Sequence, residues 1–280
     1  MITRFAPSPT GPLHLGHAYS ALLAYDRVKT AGGLFHLRIE DTDQPRCKPH
    51  WEAQIFDDLA WLGLSWEEPV LRQSERSTFY RSALDMLGEM GLIYPCSCTR
   101  GDIRQALSAP QEGVAQPGIY PGTCRGRSMS SRQPTDAIRL DMARAIVGLN
   151  ALTFNDIGPE HPGTHRVKPE YLTLKTGDII LERKDINAAS YILSAILDDD
   201  FQNISEIIRG ADLFEITFVQ VLLQHLLGLK RPTYFHHRLI RDENGKRLAK
   251  RDDARALSLY RNQGCSPDDI REMVGLQPAS

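Results

Sequence analysis

Two histidines three residues apart stand where they could bind phosphate. The run His14-Leu15-Gly16-His17 follows a short apolar stretch and a loop rich in proline and glycine, at a predicted helix start. Exposed amides and the dipole at a helix N-terminus attract anions, and two imidazoles there can hydrogen-bond a triphosphate. Gly16 would let a flat base approach the backbone. Considered alone, the two histidines could equally be a metal pair or ordinary surface residues.

Three of the five cysteines form a second candidate site. Cys96 and Cys98 are a close pair, and Cys124 follows at a distance. An odd cysteine count without an export signal argues against a disulfide framework, and zinc prefers four ligands with thiolates among them. We therefore predict a metal site, with a water molecule as fourth ligand or reduced thiols without metal as alternatives. Cys47 and Cys265 have no evident partners.

Length and composition exclude several classes of protein. A chain of 280 residues can form one large domain with an insertion, or two small ones. It carries 33 Lys and Arg against 35 Asp and Glu, so any RNA contact must use local basic patches. The N-terminus has no export signal, and the most apolar segment, residues 218–229, is interrupted by polar side chains. We expect a cytoplasmic protein that does not contact membranes.

The predicted elements would bring the first candidate site to the edge of a parallel sheet. A strand over residues 2–6, a helix from about residue 14 and a strand over 34–39 form a strand-helix-strand unit. Ligands of open α/β sheets bind at the carboxyl ends of the strands, where the sequences PSPTG and IEDTD would lie. Further predictions are helices at 50–62, 75–90, 188–197 and 213–229, strands within 171–185 and 233–240, and an inserted module without a core at 95–135.

Three blocks closely resemble the glutamyl-tRNA synthetase family. They cover residues 4–43, 190–213 and 246–254 in the family's order and spacing. The resemblance implies an α/β fold, a class I Rossmann-type catalytic domain with a connective insertion, and ATP, L-glutamate and Mg2+ as ligands. The implied division is a first catalytic half at 1–94, a zinc-binding insertion at 95–135, the rest of the connective region and the second catalytic half at 136–252, and a short helical tail at 253–280.

The resemblance also implies a glutamate pocket. Its positions fall on Arg4, Ala6, Ser8, Glu40, Tyr191 and Arg209. A substrate with two carboxylates and one ammonium group needs paired cations and an anion, and arginine makes the bidentate carboxylate contact that discriminates best. The two arginines can supply the cations and Glu40 the partner of the ammonium group, while Ser8 and Tyr191 add neutral hydrogen bonds. A structural ion pair between Arg4 and Glu40 is the alternative.

The same resemblance assigns the ATP site and the catalytic groups. His14, Gly16, His17 and Lys250 would bind ATP, and the two histidines and Lys250 would be catalytic. Where the family has a lysine, an apolar residue, a serine, a lysine and often an arginine, this chain has RLAKR at 247–251. Lys250 keeps the second lysine position, and its ammonium group could neutralise departing pyrophosphate. A merely solvated basic run is the alternative.

The cysteine set and the short C-terminus indicate one branch of this family. The pattern of Cys96, Cys98, Tyr120 and Cys124 resembles the structural zinc module of glutamyl-queuosine tRNA(Asp) synthetases and of some glutamyl-tRNA synthetases, with Tyr120 as fourth ligand. Only about thirty residues follow the lysine-bearing loop, so we expect no anticodon-binding domain and a monomer. The resemblance implies that glutamate is activated without RNA and attached to queuosine in tRNA(Asp). A minimal glutamyl-tRNA synthetase and a catalytically silent regulator are the alternatives. Candidate RNA contacts are Arg100, Arg104, Arg125, Arg127 and Arg132.

Overall fold

The computed structural model describes residues 1–108, 119–241 and 255–278. Eleven strands occur in these ranges: β1 Ile2–Phe5, β2 Leu34–Ile39, β3 Glu67–Arg72, β4 Ile93–Cys96, β5 Ala137–Leu140, β6 Thr153–Asp156, β7 Gly163–Arg166, β8 Ile180–Arg183, β9 Ala188–Ala189, β10 Glu206–Gly210 and β11 Thr233–His237. Ten α-helices accompany them: α1 Leu15–Thr30, α2 Pro49–Trp61, α3 Ser77–Glu89, α4 Arg100–Ser108, α5 Met142–Ala145, α6 Pro169–Tyr171, α7 Tyr191–Phe201, α8 Phe214–Leu226, α9 Leu257–Asn262 and α10 Pro267–Met273.

One part of the fold is built on parallel strands, with β1 near their centre. Strand β1 pairs with β2, and β2 pairs with β3, all in parallel. On its other side β1 lies against β10, because Ser205 N–H donates to the Ile2 carbonyl at 2.9 Å and Thr3 Oγ1 donates to the Glu206 carbonyl at 2.6 Å. Strand β10 continues in parallel to β11. The carboxyl ends of these strands therefore meet along one edge, as the sequence predicted for the strand-helix-strand unit.

The connective region contributes an antiparallel sheet and a hairpin. Strands β4, β5, β8 and β9 form the antiparallel sheet in that order. Strands β6 and β7 form the hairpin, and β6 also pairs in parallel with β11 at Tyr234 and Asp156. The hairpin is thus joined to the parallel strands through β11.

Two apolar cores hold the strands and helices together. One packs α1 and α2 on β1 and β2, with Leu22, Leu37 and Leu59 almost fully excluded from solvent. The other packs α3, α7 and α8 on the connective sheet and on β11, and includes Leu140, Leu193 and Tyr234. Burial of each such side chain contributes about 1.5–3 kcal/mol to folding. This apolar packing stabilises the strands whose ends carry the polar groups. Among the described residues no helix has the length and apolar character needed to cross a bilayer.

Most of the predicted elements are confirmed, and one prediction is wrong in part. The helices predicted at 50–62, 75–90, 188–197 and 213–229 correspond to α2, α3, α7 and α8. Helix α7 begins only after Ser190 and continues to Phe201, because residues 188–189 form the short strand β9. Of residues 171–185, which we expected to contribute strands, β8 is confirmed, but residues 171–176 are helical and end in a π-helical turn at Leu172–Thr176.

Candidate active site

The loop after β1 is fixed against the segment after β2. Glu40 N–H donates to the Pro7 carbonyl and Lys48 N–H to the Pro9 carbonyl, each at 3.0 Å, while Thr10 N–H closes the loop on the Ser8 carbonyl at 2.8 Å. Two loops that leave neighbouring parallel strands are thereby held as one rim. This rim places Ser8 and Glu40 side by side at the carboxyl ends of β1 and β2.

His14 and His17 cap α1 reciprocally, and the contacts determine which ring nitrogen carries hydrogen. Gly16 N–H donates to His14 Nδ1 at 3.1 Å, and His14 N–H donates to His17 Nδ1 at 3.2 Å. Because both Nδ1 atoms accept, the neutral rings carry their hydrogen on Nε2. The rings lie 3.8 Å apart between centroids, and a Cβ at Gly16 would approach His14 Cε1 to 3.0 Å. The two rings therefore lie together at a helix N-terminus, a position that suits phosphate.

A cavity of about 290 Å3 opens beside this rim. Ser8, Glu40 and Tyr191 are in its wall; the rest of the lining is Thr10, Thr42, Asp43, Arg46, Gln73, Arg183 and Ala189. Ala6 is half-buried at the end of β1 and is not part of the wall. Three of the six residues expected to bind glutamate therefore face one polar cavity. Its mouth adds the cationic side chains of Arg46 and Arg183.

Arg4 is held behind this wall by an aspartate that the sequence analysis did not identify. Arg4 Nε and Nη2 donate to the two carboxylate oxygens of Asp199 at 2.7 and 3.3 Å. Arg38 Nη1 donates to the same carboxylate at 2.7 Å, and Arg38 Nη2 donates to Glu40 at 3.2 Å. The result is a buried charge ladder, Arg4–Asp199–Arg38–Glu40. Arg4 and Glu40 are thus connected through Asp199 and Arg38, in place of the direct ion pair that we considered.

Burial and neighbouring charges shift the ionisation of this ladder. Burial alone would raise the pKa of Asp199, but Arg4 and Arg38 outweigh it and hold that pKa at about 2. Burial raises the pKa of Glu40, and its two arginine neighbours oppose that rise. Burial also raises the pKa of the Tyr191 hydroxyl, on which the charges of Arg209, Glu40 and Arg4 all act. Tyr191 is thus neutral and electrostatically linked to both arginines of the expected pocket.

Arg209 lies at the end of β10 with its guanidinium held on three sides. Its Nε donates to His236 Nε2 at 3.1 Å, its Nη1 to Gln220 Oε1 at 2.8 Å and its Nη2 to Thr217 Oγ1 at 2.7 Å. Only 6% of the residue is exposed. An arginine has five N–H donors, so three are engaged and two are left over for a ligand. The strand-to-loop turn expected after Arg209 is confirmed by the end of β10 at Gly210.

Lys250 lies outside the described residues, but both flanks of its segment are described. On the N-terminal side, Ile240 packs against Tyr19 of α1. On the C-terminal side, Ala256 bridges to His14, and Leu257 N–H donates to the Leu13 carbonyl at 2.9 Å. The chain therefore leaves and re-enters the described structure beside the first half of α1.

The three cysteines of the insertion converge on the Tyr120 hydroxyl. Cys96 and Cys98 Sγ each lie 3.4 Å from the Tyr120 oxygen, and Cys98 Sγ lies 3.5 Å from Cys124 Sγ. The three sulfurs are all within 4.8 Å of one another. Zinc–sulfur bonds of about 2.3 Å in a tetrahedron place sulfurs less than 4 Å apart, so this donor set fits zinc. Cys47 and Cys265 are free and stand apart from it.

The surroundings of this cluster favour ionisation of Cys124, whereas burial raises the pKa of the Cys98 thiol and that of the Tyr120 hydroxyl. Burial opposes ionisation of Cys124, but hydrogen bonds from Tyr120, Ser97 and Cys98 lower the pKa of its thiol to about 6. Cys124 N–H donates to the Tyr120 oxygen at 2.9 Å. The buried Arg139 donates from Nε to Cys96 Sγ at 3.3 Å, and its guanidinium lies 3.9 Å above the Tyr120 ring. Three thiolates and a phenolate would exceed the charge of Zn2+ by two, and Arg139 supplies one compensating charge.

Three of the five arginines considered for RNA contact are paired with carboxylates that lie beyond the insertion in the sequence. Arg125 pairs with Asp178 at 2.8 Å, Arg127 pairs with Asp136 at 2.8 Å, and Arg132 pairs with Glu182. Arg100 and Arg104 are exposed on α4. The charge count from the sequence therefore overstated the cationic surface of this module.

Comparison with known proteins gives a consistent result. Residues 1–278 match the family model for tRNA synthetases class I (E and Q), catalytic domain. The chain is 55% identical to the glutamyl-Q tRNA(Asp) synthetase of Rhodobacter capsulatus, over 99% of this chain and all of that protein. It is 36% identical to the enzyme of the same name from Geobacter sulfurreducens, over 94% of this chain and 79% of that one.

A solved structure shares the fold. The glutamate tRNA ligase of Elizabethkingia meningosepticum, crystallised with its amino acid, superposes with a TM-score of 0.76 at 28% identity. The match covers 98% of this chain but only 60% of the ligase, so the chain spans well under two thirds of that protein. The predicted class I α/β fold is confirmed by the family match and the superposition.

Proposed function

Since the chain belongs to the class I tRNA synthetase catalytic-domain family, and within it to the glutamyl-Q tRNA(Asp) synthetases, we propose that it activates L-glutamate with ATP in the absence of RNA and then attaches the glutamate to queuosine in tRNA(Asp). Family membership makes the chain a ligase. The choice of glutamate, the independence from RNA and the acceptor base are the proposal.

The observation that carries this proposal is the charge ladder behind the cavity wall. Arg4 and Arg209 are buried cations, each held rigidly by neighbouring side chains, while Glu40 is in the wall itself. Two cations match the two carboxylates of glutamate, and one carboxylate matches its ammonium group. Because Arg4 and Arg209 are already hydrogen-bonded to neighbouring side chains, the pocket requires little rearrangement when substrate binds. Ser8 and Tyr191 would add neutral hydrogen bonds, and Ala6 would leave room next to them.

The first chemical step needs positioning more than a protein nucleophile. The α-carboxylate of glutamate attacks the α-phosphorus of ATP, the bond to the bridging oxygen breaks, and pyrophosphate leaves. His14 and His17 would donate Nε2–H bonds to phosphate oxygens, Gly16 would admit the adenine, and Lys250 would neutralise the departing charge. Mg2+ is expected to arrive with the triphosphate, whose oxygens are its preferred ligands.

In the second step a ring hydroxyl of queuosine attacks the carbonyl carbon of the glutamyl adenylate, and AMP leaves with the bonding electrons. The hydroxyl proton passes to AMP or to solvent. We further propose that residues 95–135 form a module in which Cys96, Cys98, Tyr120 and Cys124 hold one structural zinc. We also propose a first catalytic half at residues 1–94, the rest of the connective region with the second catalytic half at 136–252, and a short helical tail at 253–280.

Glutamate-dependent exchange between pyrophosphate and ATP tests the first step. Purified protein should catalyse exchange with glutamate and no tRNA, and glutamine and aspartate should be poor substitutes because neither satisfies both cations at the correct length. Exchange that requires tRNA would refute the independence from RNA. Equal use of glutamine would refute the pocket assignment, and an absence of exchange would indicate a catalytically silent protein.

The acceptor is tested with tRNA(Asp) that lacks its 3′-terminal adenosine. Labelled glutamate should attach to this truncated RNA when queuosine is present and should not attach when it is absent. A minimal glutamyl-tRNA synthetase would not charge the truncated tRNA, because it attaches glutamate to the 3′ end. It would instead charge intact tRNA(Glu) that contains no queuosine.

A further inference from the structure

A buried aspartate–histidine pair stands behind Arg209 and takes no part in the chemistry described above. Asp156 ends β6 and His236 lies in β11, and both side chains are fully excluded from solvent. Asp156 Oδ2 contacts His236 Nδ1, and His236 Nε2 contacts Arg209 Nε. The three side chains form a chain of hydrogen bonds that ends on the guanidinium of the proposed pocket.

The partners of His236 favour one arrangement of its ring hydrogens, although Thr217 Oγ1 also lies 3.4 Å from Nε2. The ionised carboxylate of Asp156 can only accept, so Nδ1 must carry the hydrogen. Nε2 is then left with a lone pair, and it accepts from Arg209 Nε–H. A second hydrogen on Nε2 would point at the guanidinium, and burial together with Arg209 lowers the pKa of His236 to about 4 in spite of Asp156. The neutral Nδ1–H form is therefore the one that fits.

The carboxylate of Asp156 is itself held in place. Its Oδ1 accepts from Gly158 N–H at 2.8 Å and from the backbone N–H of His236 at 3.2 Å. Gly158 is required at this point, because a Cβ there would come within 2.4 Å of the His236 backbone. These contacts reserve Oδ1 for backbone donors and leave only Oδ2 for the ring.

The remaining donors of Arg209 depend on this support. Thr217 and Gln220 of α8 each take one hydrogen from the terminal nitrogens, and His236 is the partner of Nε. Since a guanidinium is planar and its donors have fixed directions, fixing Nε as well as both terminal nitrogens sets the direction of the two unused N–H groups. Without the Nε partner, only Thr217 and Gln220 would hold the guanidinium, and its plane could tilt by rotation about the Cδ–Nε bond and the bonds before it.

We propose that Asp156 and His236 are positioning residues that orient Arg209 toward a carboxylate of the amino acid substrate. They act through Arg209 and do not contact substrate. This inference rests on the proposed glutamate pocket. It also gives the β6–β7 hairpin a function, because β6 supplies the carboxylate that fixes Arg209 through His236.

The test compares two substitutions of His236 in the exchange assay. In His236→Gln the amide can donate to Asp156 and accept from Arg209, so it should retain a near-normal KM for glutamate. His236→Leu keeps the bulk and loses both contacts, so its KM for glutamate should rise about 10–100-fold, the size expected for losing a hydrogen bond to a charged group. Its kcat and its KM for ATP should stay within about threefold, since uniform binding is affected.

Asp156→Asn provides an independent variant of almost unchanged shape. Because two backbone donors hold the Oδ1 position, the amide oxygen must take that place and the NH2 group must face His236 Nδ1. The ring then has to carry its hydrogen on Nε2, facing Arg209 Nε–H. KM for glutamate should rise as in His236→Leu, and the double variant should be no worse than His236→Leu alone, because both break one chain of contacts.

The outcomes separate this inference from the proposed function. Wild-type protein without glutamate-dependent exchange would contradict the proposed function itself. Normal wild-type exchange with an unchanged KM in both His236→Leu and Asp156→Asn would overturn the positioning role alone. Equal damage in His236→Gln and His236→Leu, or equal losses for glutamate and ATP, would show that His236 is merely structural. Thermal unfolding of each variant identifies any that fail to fold, and Asp156→Asn then decides the question.

Discussion

Replacing Asp199 with asparagine should destabilise the protein and weaken glutamate binding together. Oδ1 of Asp199 accepts from Arg4 Nε and Arg38 Nη1, each at 2.7 Å, and Oδ2 accepts from Arg4 Nη2. The amide would keep the Oδ1 contacts but place N–H groups against Arg4 Nη2. It would also leave two buried cations with Glu40 as the nearest balancing charge. Breaking one partner of a buried ion pair costs about 3–5 kcal/mol.

This free-energy cost corresponds to a decrease in melting temperature. An unfolding entropy of about 2.1 cal/mol/K per residue gives about 0.6 kcal/mol/K for a chain of 280 residues. The substitution should therefore lower Tm by about 5–9 °C, and KM for glutamate should rise about tenfold as Arg4 loses its support. The measurements are differential scanning calorimetry and glutamate-dependent exchange.

Asp200→Asn is the matched control on the same helix. Asp200 accepts only the exposed backbone N–H of Lys230 in the described contacts, at 2.9 Å, and an amide oxygen can do the same. Its free energy of unfolding should change by less than about 0.5 kcal/mol. If Asp199→Asn melts within a degree of the wild type, or if the two variants behave alike, the reasoning from the charge ladder is wrong.

The same substitution gives a pH dependence with a definite sign. The folded-state pKa of Asp199, about 2, lies below its ordinary value of 3.8. A lowered carboxyl pKa contributes stability that is fully present above the unfolded value and is lost as pH falls through the folded value. The difference in stability between the wild type and Asp199→Asn should thus be constant above about pH 5 and should shrink as pH falls from about 4 to 2. A difference that grows on acidification would contradict the assignment.

Three further predictions concern the metal module and the lysine-bearing segment. Wild-type protein should contain about one zinc per chain, and Cys96→Ser with Cys98→Ser should abolish it; metal analysis that finds none in the wild type would end the zinc proposal. Arg139→Met should lower zinc affinity about 10–100-fold in chelator competition, whereas Arg144→Met, on an exposed side chain, should not. Lys250→Ala should slow pyrophosphate exchange about 10²–10³-fold with little change in KM for glutamate; a normal rate would show that Lys250 is not catalytic.

Local signals in the sequence were sufficient to predict the elements that are bounded by proline and glycine residues. The helix start expected near residues 14–17 corresponds to the cap at His14, because the loop of prolines and glycines before it permits no earlier start. Residues 171–176 misled because Leu172 and Leu174 alternate with polar residues as in a strand. Leu172 is fully buried, whereas Leu174 is 55% exposed, so the two do not share a face. Alternation over so few residues cannot distinguish a strand from a helical turn.

The residues that hold the pocket were beyond reach of sequence patterns. Arg4 and Asp199 are 195 positions apart, and Asp156 and His236 are 80 apart. Three aspartates follow one another at 198–200, yet only the phase of α7 decides that Asp199 turns toward Arg4 while Asp200 faces outward. The resemblance indicated the residues expected to bind substrate. It carried no information about the side chains that hold those residues in place. Those depend on tertiary packing, which a single sequence does not display.

The position of β1 has a consequence for how the protein is made. Its first residues pair with β2 on one side, but on the other side Ile2 exchanges hydrogen bonds with Ser205, 203 residues later. At about 5–20 residues per second on the ribosome, β1 waits roughly 10–40 s for that neighbour to be synthesised. During this interval the open edge of β1 and the unpaired Arg4 are accessible to other chains and to chaperones. The proposed glutamate pocket would therefore be among the last parts of the nascent chain to close.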